Sequence, residues 1–185
     1  MLRAACSGAL GAASGGKSID GGDAMTGRTS FDTRADFVAA IVRAPAYATA
    51  AGARRMLWVD PDFADWPLDD PVLLQGLTDW LRLPQRRLVL LAIDFSRVAR
   101  ERPRFMAWYP YWTHAVQAVA PDVAEVAELP AVLVVEPTAA LELVDRRRWR
   151  SHWDEDAART RIWTEQLDAL LQRCAPALPA TTLGL

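Results

Sequence analysis

Lysine is nearly missing from this chain: Lys and Arg together number 21 in 185 residues, and Lys17 is the only lysine. Histidine is almost as scarce, with His114 and His152 the two present. Any mechanism that needs a core lysine or a histidine pair therefore begins with few candidates. Two cysteines, Cys6 and Cys174, are too few for a disulfide framework or a closed zinc site, and they read as reduced thiols of a cytoplasmic protein. No apolar run approaches the ~18 residues that suggest a membrane-spanning helix, so no membrane partner is expected. Neither sign of charge dominates, and a formal net charge of −2 gives no strong nucleic-acid signal. What the chain does have is apolar residues, at 51%, enough for one domain with a sizeable core.

Residues 1–30 are rich in Gly, Ala and Ser and lack periodicity. Such composition buries too little apolar surface to offset chain entropy, so the segment is expected to be disordered, with one α/β domain over 31–185. Within the segment, Gly11 to Ser18 matches the P-loop spacing. A P-loop works only between a buried strand and a helix whose amino end holds phosphate, and Gly21-Gly22 would break that helix. NTPase chemistry is set aside.

Phe37, Val38, Ile41 and Val42 keep helical spacing as far as Pro45. Met56 to Val59 reads as a buried strand ending at Asp60, and Asp70-Pro71 as a helix start with Asp as N-cap. Leu88 to Ile93 is an unbroken apolar run ending at Asp94, the pattern of a strand covered on both faces. A helix is expected through Phe105, Trp108, Trp112, Ala115, Val116 and Val119, with a kink at Pro110 and a short strand over 123–126. Ala131 to Val135 and Leu141 to Val144 read as a hairpin across Pro137-Thr138. A last helix carries Trp163, Leu167, Leu170, Leu171 and Cys174 on one face.

Asp60-Pro61-Asp62 at a strand end has the spacing of the Asp-x-Asp in haloacid-dehalogenase-like phosphatases, where one Asp attacks phosphorus beside Mg²⁺. Asp94 would add a carboxylate about 5 Å from Asp60 if the two strands are neighbours, close enough to share a hard cation. Ala64 stands where that family has Thr or Val, and its Lys is absent. The favoured role of these Asp residues is capping the elements that follow. His114 could serve as a base, but it falls opposite the Phe105/Trp108/Trp112 stripe with no identifiable nucleophile. Asp145-Arg146-Arg147-Arg148-Trp149-Arg150 combines charge with an aromatic as single-strand binders do. Asp154-Glu155-Asp156 follows directly, which favours a solvated loop leading into a capped helix.

The element order and the residues Asp60 to Leu68 (Asp-Pro-Asp-Phe-Ala-Asp-Trp-Pro-Leu), Pro103-Arg-Phe105, Trp112-Thr-His114 and Pro179 to Leu185 carry a resemblance across 31–185. The chain resembles a bacterial family with a degenerate phospholipase D-like fold. That resemblance implies a mixed sheet flanked by helices in a single α/β domain. Active members carry His-x-Lys-x4-Asp on the strand that here reads Leu129 to Glu136. Leu129 then stands at the His position, Ala131 at the Lys position and Glu136 at the acidic one. Without nucleophile or phosphate-binding cation, phospholipase D-type catalysis is not expected.

The function expected is therefore a non-catalytic binding or interaction module, with an unknown protein or small ligand as partner and room for a homodimer. The alternative is a Mg-dependent phosphohydrolase or transferase using strand-end carboxylates. Asp60, Asp62, Asp94 and His114 are the ligand-binding candidates. No catalytic residue, metal or cofactor is assigned.

Overall fold

A computed structural model describes residues 27–122, 126 and 128–178. The P-loop match at 11–18 and the apolar tail at 179–185 lie outside the described residues. So do residues 1–26 of the segment expected to be disordered, whereas its last residues join the sheet as a strand.

The strands are β1 (Arg28–Phe31), β2 (Arg55–Val59), β3 (Arg87–Leu91), β4 (Val116–Pro121), β5 (Ala131–Glu136), β6 (Ala139–Asp145), β7 (Arg150–Asp154) and β8 (Cys174–Pro176). They form one mixed sheet in the order β1-β7-β6-β5-β2-β3-β4-β8. β2, β3 and β4 run parallel, with Met56 opposite Leu88 and Leu88 opposite Val116. The remaining neighbours are antiparallel, and β5 and β6 form the expected hairpin with Val135 opposite Ala139. The chain is thus a single α/β domain: a mixed sheet flanked by helices.

Alternation along β2 builds two cores, because successive side chains leave a strand on opposite faces. Met56 and Trp58 point to one face, which α1 (Arg34–Ala50) and α2 (Pro71–Leu81) cover through Phe37, Ile41, Leu73, Leu77 and Trp80. Leu57 and Val59 point to the other, where Leu167 of α5 (Ala157–Leu171) packs with Val89, Val132 and Val134. Asp70 caps α2 as expected, accepting from the amides of Val72 and Leu73 at 2.7 and 3.1 Å. α1 continues through Pro45, against expectation. Pro45 is buried in the α1–α2 contact, where a Cβ on Gly76 would come within 3.4 Å of it. Glycine allows that approach, and its burial offsets the amide hydrogen bond that proline forfeits.

The long helix expected over residues 105–119 is not one element. The chain makes α3 (Ser96–Glu101), α4 (Pro103–Trp108) and a 3₁₀ turn at Tyr109–Trp112, then enters β4. Pro103 starts a helix readily at its first position, and Pro110 sits in the first positions of the 3₁₀ turn. Beyond it Val116, Gln117 and Ala118 alternate buried, exposed, buried, a strand period that helical spacing mimics over so short a run. The strand formed here is β4, over Val116–Pro121, whereas residues 123–125 of the strand expected at 123–126 lie outside the described residues. Cys174, expected on the last helix, begins β8 beside Pro121.

Candidate ligand cleft at the carboxyl end of the parallel strands

The carboxyl ends of β2 and β3 are tied together by the backbone. The Asp60 amide donates to the Leu91 carbonyl at 3.1 Å, and the Ile93 amide to the Pro61 carbonyl at 3.0 Å. Asp60 is fully buried. One carboxylate oxygen accepts from the amides of Asp62 at 3.1 Å and Phe63 at 2.8 Å, closing a tight turn. Phe63 takes a left-handed conformation there, φ +55°, a rare one for a bulky residue. Its ring fixes the turn in return, stacked on Phe95 at 5.9 Å and edge-on to Trp66 at 5.1 Å. The other Asp60 oxygen accepts from Trp66 Nε1 at 2.9 Å and from Arg146. Arg146 sends its second nitrogen to Asp65 at 3.0 Å, so one guanidinium bridges two carboxylates. Burial pushes the Asp60 carboxyl above its usual range, and Arg146 with the N–H donors pulls against that shift.

The other candidates have separate surroundings. One Asp62 oxygen accepts from the Ala64 amide at 3.0 Å, and the other lies 3.5 Å from Arg97 of α3. Asp94 is exposed, and its carboxylate takes the Ser96 hydroxyl at 2.5 Å and the Ser96 amide at 2.8 Å. Those two bonds hold its pKa below the usual range. His114 sits at the amino end of β4, the opposite end of the sheet, exposed and tilted against Trp112 at 5.8 Å. The structure thus brings Asp60 and Asp62 into one turn, turns Asp94 to its own local donors, and leaves His114 apart. Asp60 spends its acceptor positions on the N–H groups of Asp62, Phe63, Trp66 and Arg146, which leaves them occupied against a metal ion. Among the described residues no group of three His, Cys, Asp or Glu is arranged to hold a metal.

Arg146 is the residue that sequence reasoning missed as a member of this cluster. It opens the four-residue turn between β6 and β7, held by Asp145, which accepts from the amides of Arg147 and Arg148 at 2.9 and 3.1 Å. Trp149 closes the turn at φ +55°, its ring 6.0 Å from Phe37 and beneath the Arg34 guanidinium at 5.6 Å. The expected solvated loop is therefore an anchored turn followed by a strand. Its signal was the Asp-Arg-Arg-Arg-Trp-Arg run itself, which proximity to Asp154-Glu155-Asp156 obscured. In space Asp154 pairs with Arg159 at 2.9 Å on the next helix, away from the turn.

Beside this turn lies a cleft of about 680 Å³. Leu129, Ala131 and Leu143 give its apolar wall, Pro61 its edge toward Asp60, and Arg146, Arg147 and Arg150 its cationic rim, with Glu128 and Asp145 also lining it. One step beyond the Val59–Val132 pair, the register sets Ala131 beside Asp60. Arg147 and Arg150 are exposed, and among the described residues neither has a carboxylate within 4.0 Å. Glu136, at the far end of β5, lies 3.6 Å from Arg55 instead.

No family model and no curated protein matches this chain. Solved structures do match. TrmBL2, an archaeal chromatin protein showing a novel mode of DNA binding, superposes with a TM-score of 0.57 at 10% identity, over 81% of this chain and 55% of its own. NucT from Helicobacter pylori gives 0.55 at 7% identity, over 82% of this chain and 99% of its own. Nuc from Salmonella typhimurium, a phospholipase D family member, gives 0.50 at 6% identity, over 83% and 99%. The chain spans little more than half of TrmBL2. The fold is phospholipase D-like.

These neighbours correct one expectation. The net charge implies no strong nucleic-acid signal, yet a DNA-binding chromatin protein shares this fold. The formal charge of −2 averages the whole chain, whereas a rim such as Arg146 to Arg150 is a local feature that the average hides. Among the described residues no helix is long and apolar enough to cross a membrane.

Proposed function

We propose that this chain is a non-catalytic binding module of phospholipase D-like fold, which holds the phosphate backbone of a nucleic-acid strand in its arginine-rimmed cleft. The observation that carries the reading is the pair Arg147 and Arg150, exposed on the rim of a 680 Å³ cleft without acidic partners among the described residues. Guanidinium groups match phosphate oxygens with two parallel donors, and unpaired ones need not break an ion pair to do so. Leu129 and Ala131 on the cleft wall supply neither nucleophile nor cation, so the reading is of binding without turnover. The Mg-dependent alternative has less support, because Asp60, Asp62 and Asp94 each face their own N–H, hydroxyl or guanidinium donors. We infer a cytoplasmic setting, which would keep the free thiol of Cys174 reduced.

The test is fluorescence anisotropy with a labelled single-stranded oligothymidylate at low and moderate salt. Affinity should fall steeply with salt, as counterion release requires, and the double variant Arg147→Ala, Arg150→Ala should bind at least about tenfold more weakly with a shallower slope. The oligonucleotide should be recovered uncut. Equal binding by the double variant, or cleavage by the wild type, overturns the reading.

A further inference from the structure

Arg146 belongs to two structures at once. It lines the cleft, and it is the guanidinium that compensates the fully buried Asp60. With Asp60 and Asp65 both ionised, this trio of groups carries a net charge of −1, so Arg146 offers little attraction to an incoming anion. A proton on Asp60 brings the trio to neutrality and loosens one of the two arms that hold Arg146. The arginine is 39% exposed, so the freed arm needs little rearrangement to face the cleft. We infer that anion capture in this cleft is proton-linked: protonation of Asp60 hands Arg146 to the bound phosphate, and phosphodiester affinity rises as pH falls. This inference rests on the binding reading above and specifies its regulation.

The surroundings leave Asp60 as the group that responds. The charged groups facing it are Arg146 on the turn after β6, and Asp62 and Asp65 on the loop after β2, with Arg97 of α3 beside Asp62. Asp94, after β3, is exposed and held ionised by Ser96. Glu128 and Asp145 line the cleft and are not fully buried. Neither histidine takes part: His114 is at the other end of the sheet, and His152 of β7 contacts Ser30 at 3.1 Å on the α5 side. Burial raises the Asp60 pKa, against the pull of Arg146 and the N–H donors.

The experiment is the same anisotropy titration repeated at successive pH values from about 4.5 to 8, over which phosphodiesters and thymine keep their charge. The wild type should tighten toward low pH by up to about tenfold per pH unit, the slope of one linked proton. Asp60→Asn, with folding checked by near-UV circular dichroism, should bind at every pH as the wild type does at low pH. Trp66→Phe keeps an aromatic ring at this position but removes a donor to the Asp60 carboxylate, and should move the wild-type midpoint to higher pH. Glu128→Gln should keep the slope. A flat wild-type profile with binding intact overturns the proton linkage and leaves the binding reading standing. Absence of binding at every pH overturns both. An unmoved midpoint in Trp66→Phe assigns the proton elsewhere and also overturns the linkage.

Discussion

Asp60 and Asp94 begin from similar sequence positions: each ends the apolar run of one of two adjacent parallel strands, Asp60 directly after β2 and Asp94 after Ala92 and Ile93 at the end of β3. Their fates are opposite. Asp60 is fully buried under Trp66 and paired with Arg146, which comes from 86 residues away. Asp94 is exposed and satisfied within two residues by Ser96. The two have opposite pKa shifts, because burial dominates at Asp60 and hydrogen bonding at Asp94. A carboxylate's role at a strand end is thus decided by what the rest of the chain lays over it. Phe63, Trp66 and the β6–β7 turn cover one end, while α3 begins directly beyond the other.

Removing Arg146 should separate the two most sharply. Arg146→Ala leaves Asp60 buried with an uncompensated charge, which should cost about 3 kcal/mol in urea denaturation near neutral pH, and less in acid where the proton replaces the arginine. A loss no larger in neutral than in acid solution would mean that Arg146 is not Asp60's counter-charge. Trp66→Phe keeps an aromatic ring but withdraws one hydrogen bond from a buried carboxylate and leaves a void where the rest of the buried indole packed, and should cost about 2 kcal/mol by the same measurement.

The pH dependence of stability divides the two residues by sign. The folded-state pKa of Asp60 is raised, so its contribution to stability grows as pH falls through that pKa and is lost as pH rises again. Asp94 and Asp154 have lowered pKa values, so their contribution is present above the ordinary carboxylate range and lost as pH falls through their folded values. Stability should therefore peak on the acid side of neutrality, and Asp60→Asn should remove the rise from neutral pH toward that peak. A variant profile parallel to the wild type would break the assignment. The smallest effect should come from Asp94→Ala, within about 0.5 kcal/mol, because its bonds are local and wet. A loss comparable to that of Arg146→Ala would erase the contrast.

Parts of this architecture were legible directly. The apolar runs at Met56 to Val59 and Leu88 to Leu91 are buried on both faces of the sheet, so their composition alone marks them as central parallel strands. Asp70-Pro71 starts α2 because capping is a contact over two or three residues. The edge strands were not legible. β1, at the edge, is four residues and mostly exposed, and β7, the strand beside it, begins on an arginine and ends on an aspartate. Short edge strands have no apolar period to read, and they exist because a neighbour offers free backbone groups. Arg146 was hidden for a related reason: a charge run looks solvated until its partner is known, and Asp60 is remote in sequence.

By itself, then, the sequence determined what depends on neighbours along the chain: the helical and strand periods, the hairpin across Pro137-Thr138, the cap at Asp70, and the shortage of lysine and histidine that bounds the chemistry. Only the tertiary structure decided which charges are buried, which are paired and which face the cleft. Solvation and Coulomb energies depend on distances across strands that only folding brings together, so Asp60 with Arg146, and the unpaired rim of Arg147 and Arg150, come into being with the fold.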